Sequence, residues 1–138
     1  MRRVLLDSDV LLDVLARRQP FVVASAQALS AATGSQVRGY ISGHAVTNIF
    51  YILRRQVGGE TARDLLSRLL QHLEVASVTD AVVKAALQSS MTDFEDAVTS
   101  EAASAAGVEL IVTRNKGDFT DSTVPALLPD EFLAMPLK

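Results

Sequence analysis

The residues of this chain best suited to chemistry are carboxylates. Asp7 and Asp9 follow a short apolar run, Asp93 and Asp96 lie near the start of a helical stretch, and Asp118 sits in a polar segment behind a second apolar run. Carboxylates gathered in one crevice repel. Two unit charges ~4 Å apart cost about 4 kcal/mol at an effective dielectric of ~20. Such clusters persist when a cation lies between them or when protons are shared. The chain has no cysteine, and His44 and His72 are far apart in sequence. Oxygen donors alone favour Mg2+ or Mn2+ over zinc. A Mg2+ held by a few carboxylates activates water and neutralises the charge that develops on a phosphodiester under attack. Phosphodiester hydrolysis is the chemistry this set of residues points to.

Each acid also has a plainer structural reading. Asp7 can cap the helix that follows it, and Asp118 can be a turn residue beside Gly117. Thr92-Asp93-Phe94-Glu95 reads as a capping box, with Thr92 as N-cap and Glu95 reaching back. Glu95 is therefore expected to be a cap rather than a ligand, and Asp93 fits either role. Asp96 is expected at the fourth helical position, beyond the reach of a cap, which favours a functional reading.

The elements that must position these acids alternate between strand and helix. Apolar runs predict strands at 3–6, 37–41, 74–77, 109–113 and 124–127. Helical spacing follows Asp7-Ser8-Asp9 through Val10, Leu11, Val14 and Leu15, and continues over 21–33, 44–57, 60–72, 79–89 and 92–106. Ser42 and Thr79 can cap two of these helices, and Gly34, Gly58-Gly59 and Gly107 can end three. Pro129 opens a last helix. Strands that are short and apolar on both faces imply a parallel sheet of about four to five strands, covered by helices on both sides. Ligands of such sheets bind beyond the C-terminal strand ends, at a switch point. Asp7, Asp9 and Asp118 follow strands and meet that rule. The rule does not locate Asp93 and Asp96.

Composition sets the outer limits. The 138 residues fit one domain, 1–138, and 49% hydrophobic with 21% charged residues is the balance of a soluble globular protein. Met1-Arg2-Arg3 and the apolar run behind it look briefly like a signal peptide, but Asp7, Asp9 and Asp13 interrupt it. No apolar stretch nears the ~20 residues of a membrane span. The absence of cysteine fits a reducing cytoplasm. The net charge of -3 argues mildly against nucleic acid. Arginine pairs at Arg2-Arg3, Arg17-Arg18 and Arg54-Arg55 can be solvated helix faces, whereas Arg114 and Lys116 are placed to meet a phosphate backbone near the acids.

Taken together, four strings resemble the PIN-domain family, and in particular its VapC-type toxins. Val4-Leu5-Leu6-Asp7-Ser8-Asp9-Val10-Leu11-Leu12-Asp13 is similar to the family's strand, Asp-Thr-Asn and helix. Asp93-Phe94-Glu95-Asp96-Ala97 resembles its central acidic motif. Ile111 to Phe119 resembles its late strand and loop, and Pro129-Asp130-Glu131-Phe132-Leu133 its usual ending. The resemblance implies a three-layer α/β/α fold, Mg2+- or Mn2+-dependent endoribonuclease activity, frequent homodimers and, for toxins, an antitoxin encoded alongside. By position, Asp7, Asp96 and Asp118 match metal-binding acids. Ser8, Thr113 and Asn115 match polar residues around the metal. Two departures stand out. Ala45-Val46-Thr47-Asn48-Ile49 places Asn48 where the family usually has Glu, as in a subgroup carrying Thr-Asn, and Asp9 replaces the usual Asn. Asn48 leaves room for a second function, a weakly catalytic module that binds RNA or protein. Asp7-Ser8-Asp9 also has the Asp-x-Asp form of a metal-dependent phosphatase, whose mark would be an aspartyl-phosphate on Asp7.

Overall fold

The computed structural model describes residues 2–136. Five parallel strands form one sheet in the order β3-β2-β1-β4-β5. They are β1 (Arg2–Leu6), β2 (Val37–Ser42), β3 (Glu74–Ala76), β4 (Leu110–Val112) and β5 (Ala126–Leu127). The helices are α1 (Ser8–Leu15), α2 (Val22–Ala32), α3 (Gly43–Val57), α4 (Gly59–Leu69), α5 (Asp80–Leu87), α6 (Phe94–Ala105) and α7 (Pro129–Leu133). A 3-10 turn spans Lys116–Phe119. Among the described residues, no helix is long and apolar enough to cross a membrane.

The layering follows from strand geometry. Side chains alternate across a strand, so neighbours face opposite layers. Val4 and Leu6 enter one core with α1, α2, α3, α4 and α7. Leu5, between them, enters the other with α5 and α6. All three are fully buried. Each such side chain contributes about 1.5–3 kcal/mol by leaving water. The result is the expected α/β/α sandwich with a parallel sheet. Gly39 lets one helix approach closely, since a Cβ there would stand 2.6 Å from Leu73 Cδ2 and 2.7 Å from the Ala32 carbonyl oxygen.

Element ends depart from the expected ones by one to three residues. The strand expected at 109–113 is regular over 110–112, although Glu109 N still donates to Arg3 O and Thr113 N to Leu127 O. β5 is cut to two residues because Pro125 has no N–H to give the ladder. Ser42 sits at the N-cap of α3 but makes no side-chain cap bond, whereas Thr79 caps α5 through Val82 N at 3.2 Å. The capping box assigned to Thr92 and Glu95 does not form. Asp93 is the N-cap of α6, its Oδ1 accepting from Asp96 N at 3.0 Å. An aspartate caps at least as well as a threonine, and its charge also suits the helix dipole.

Candidate active site

The strand order reverses beside β1: the chain runs from β1 outward through β2 and β3, then returns to β1's other edge as β4. A crevice opens beyond the strand ends at such a point. Register puts Leu6 opposite Val112, so the next residues, Asp7 and Thr113, are neighbours at its floor. Asp7 N donates to Val112 O at 2.9 Å, which ties α1's start to β4.

Asp7 caps α1, with Oδ1 accepting from Ser8 N at 2.9 Å. Its Oδ2 accepts from Thr113 Oγ1, also at 2.9 Å. The cap expected from the sequence is therefore present, and the same carboxylate also lies on the crevice floor. Burial pushes its pKa up to about 6, with Asp9 adding to the rise and the Thr113 and Ser8 hydrogen bonds opposing it. Asp9 lies close by. Its Oδ2 receives Arg114 N at 3.1 Å, Asn115 Nδ2 at 3.0 Å and Thr113 Oγ1 at 3.3 Å. Its Oδ1 is buried with no hydrogen-bond partner among the described residues. Burial raises its pKa as well, against the pull of the Arg114 amide and guanidinium.

Asp96 reaches the same space from α6. Burial raises its pKa to about 7, and Asp7, Asp93, Asp118 and Asp9 each push in the same direction. All five aspartates singled out in the sequence thus lie within electrostatic reach of one point. Asp93 and Asp118 face each other across a depression of about 310 Å3 that also touches Met91, Thr92 and Asp121. Asp118 itself is exposed on the 3-10 turn, held by Asp118 N donating to Asn115 O at 2.9 Å. The acids surround a space without closing on it. Among the described residues, no three Asp, Glu or His side chains converge tightly enough to enclose a metal ion. Still, the donor set suits a hard cation: the donors are oxygens, one of them is buried and unpartnered, and three of the acids resist ionisation together.

Several residues take roles the sequence did not reveal. Glu95 is turned toward α3, where Asn48 Nδ2 donates to its Oε1 at 3.3 Å. Its charge adds to the pressure on Asp7. Ser8, Asn48, Tyr51 and Glu95 line a second depression of about 300 Å3. His44 packs on the same turn, Nε2 lying 3.2 Å from Glu95 O, and burial lowers its pKa.

Arg114 and Lys116, expected to meet RNA, instead bind acids of this chain. Arg114 Nε and Nη2 donate to Asp13 at 2.7 and 3.2 Å. Its guanidinium lies 3.8 Å over the Phe21 ring. Asp13 is fully buried, and a buried carboxylate requires such a partner. Lys116 Nζ donates to both Glu131 oxygens at 3.0 and 2.9 Å. The sequence signal for the first pair was Asp13 itself, an acid set among Val10, Leu11, Leu12 and Val14.

Comparison with known proteins agrees with this architecture. No curated protein matches the sequence. Among solved structures, a VapBC2 complex of Rickettsia felis bound to promoter DNA superposes with a TM-score of 0.72 at 12% identity, covering 91% of this chain and 98% of that one. A toxin-antitoxin complex from Klebsiella pneumoniae gives 0.71 at 20% identity, covering 91% and 97%. The Mycobacterium tuberculosis toxin VapC20, described as cleaving the sarcin-ricin loop, gives 0.64 at 16% identity, covering 78% and 86%. Identities this low speak for the fold alone. The sequence itself carries the assignment, because the PIN domain family model matches residues 3–117, from β1 through the start of the 3-10 turn. A parallel sheet with acids at its switch point and a family match over most of its length agree: the chain belongs to the PIN domain family.

Proposed function

We propose that this protein is a divalent-metal-dependent endoribonuclease. The observation that carries the reading is the set of uncompensated acids at the switch point, Asp7, Asp9 and Asp96, each with its pKa raised. Asp7, Asp96 and Asp118 would hold the cation, with Asp9 and Asp93 beside them. Mg2+ or Mn2+ bound there would supply an activated water and offset the charge of the phosphodiester under attack. The chain's own contribution is position. Thr113 and Ser8 N fix the two oxygens of Asp7, and Asn115 and Arg114 N fix Asp9. The Asp93 cap anchors the first turn of α6, from which Asp96 enters.

The likeness to toxin-antitoxin complexes extends the proposal to biology: a toxin acting on RNA in the cytoplasm, working as a homodimer and held by a cognate antitoxin. Co-purification with the product of an adjacent gene tests the last point. The activity is tested on single-stranded and structured RNA with Mg2+, Mn2+ or EDTA. Metal-stimulated internal cleavage, abolished in Asp96→Asn, is the expected outcome. RNA binding without turnover under every metal condition would instead favour the binding-module reading. The specific observation behind that alternative is Asn48, which supplies an amide bonded to Glu95 rather than a further charge.

A further inference from the structure

Arg114 joins two consecutive turns of α1. Its backbone N–H binds Asp9, at the crevice, and its guanidinium binds Asp13, one turn further along the same face. Asp13 is inaccessible to solvent and takes a third hydrogen bond from Ser25 Oγ of α2 at 2.9 Å. The Arg114 side chain is 24% exposed and its flat face rests on Phe21. A two-pronged, stacked arginine of this kind defines one geometry, which a lysine would not reproduce. Its guanidinium hydrogen bonds go to Asp13, while its charge still pulls on Asp9 without overcoming that residue's burial.

The segment behind Arg114 depends on it. Asn115 N donates to Thr113 Oγ1 at 3.1 Å, Asn115 Nδ2 to Asp9, and Asp118 N to Asn115 O. Thr113, Asn115 and Asp118 therefore stand in one chain of hydrogen bonds, pinned to the helical layer by the Asp13–Arg114 pair. The far end is held by Lys116 on Glu131. We infer that Asp13 and Arg114 are positioning residues: their buried ion pair sets the 113–118 segment so that its polar groups hold Asp7 and Asp9 and its acid faces Asp96. They touch neither substrate nor cation. This rests on the metal-nuclease reading for its consequence, but not for the ordering of the segment itself.

The experiment uses the metal-free protein first. Amide hydrogen exchange at Arg114, Asn115 and Asp118 is compared in wild type, Arg114→Lys and the double variant Asp13→Leu/Arg114→Met. The double variant removes both buried charges and so can fold where a single deletion leaves one charge stranded. Exchange at those amides should quicken tenfold or more in the double variant, while Leu5 and Ile111 in the sheet stay protected. Mn2+ affinity, read by calorimetry, should fall at least tenfold in the same protein even where its Tm matches wild type, with Arg114→Lys in between. Unchanged loop exchange overturns the inference, as does a loosened loop with unchanged Mn2+ affinity. A variant that binds Mn2+ normally but raises KM for RNA in a salt-dependent way would make Arg114 a phosphate contact and overturn it too. Wild type that binds no Mn2+ overturns the metal-nuclease reading, while the exchange data still decide whether the pair orders the segment.

Discussion

Replacing Asp96 with Asn should stabilise the metal-free protein, and should do so increasingly as pH rises. Burial and four neighbouring aspartates raise the Asp96 pKa from 3.8 to about 7. That is roughly three powers of ten in proton affinity, or about 4 kcal/mol at 1.36 kcal/mol per tenfold. Asp96 is only half-buried, and solvent screening reduces the usable figure to about 1–2 kcal/mol. The sign is the reverse of an ordinary paired aspartate. Between pH 3.8 and about 7 the folded protein keeps a proton that the unfolded chain has released, so stability falls as pH rises through this window. Asn carries no charge to repel its neighbours. The two proteins should match near pH 4 and diverge to about 1–2 kcal/mol in favour of Asp96→Asn by pH 8, roughly 3–8 °C in Tm for a domain of this size. Urea unfolding in EDTA at intervals from pH 4.5 to 8 reads this directly. Adding 10 mM Mg2+ should restore wild type at pH 8 and leave the variant nearly unmoved. Parallel pH profiles, or a variant less stable at pH 8, would refute the claim that Asp96 sits in uncompensated negative charge.

Three other perturbations probe the surroundings. Thr113→Val keeps the shape but strands Asp7 Oδ2, so it should cost about 1–3 kcal/mol in urea unfolding; an unaltered midpoint would mean the hydroxyl does not hold Asp7. Asn48→Glu places a second carboxylate against Glu95, now 3.3 Å from the amide nitrogen. It should lower the metal-free Tm, with recovery on adding Mn2+ or on pairing with Glu95→Gln, and the absence of either recovery counts against an approach of the two side chains. Gly39→Ala forces a methyl to within 2.6 Å of Leu73 and 2.7 Å of the Ala32 carbonyl. An overpacking cost of about 1–3 kcal/mol is expected, without loss of Mn2+ binding per folded molecule.

The layered fold was legible because burial writes itself into strand and helix periods. Val4, Leu5 and Leu6 could be apolar in succession only if both faces of their strand were covered. Strand ends were less legible, since pairing with a neighbour decides them. Thr113 donates to Leu127 and Pro125 cannot donate at all, neither of which shows in a propensity. The start of α6 offered two adjacent caps of similar quality, Thr92 and Asp93. The difference matters because the true cap, Asp93, frees Glu95 from the reach-back role and leaves it for Asn48.

The acids themselves explain what a sequence can and cannot say about this site. All are Asp or Glu near element ends, and by type they are equivalent. The structure divides them by whether the chain has already answered their charge. Asp13 is answered by Arg114 and Ser25, and Glu131 by Lys116 and Leu128 N, which together lower its pKa. Hydrogen bonds fix the direction of Asp7 and Asp9, and Asp96 enters from the capped first turn of α6, yet none of the three has a cation close enough to offset burial and mutual repulsion, and all three move upward. A fold that supplies a half-buried arginine whose backbone N–H already binds Asp9 could have neutralised the crevice with it. Arg114 instead turns away onto Asp13, which leaves the crevice negative and its geometry fixed. Charge left unanswered beside charge already paired is what binding of an external cation would require, and it is the physical ground on which the proposed metal site draws on Asp7, Asp9 and Asp96 and leaves out Asp13 and Glu131.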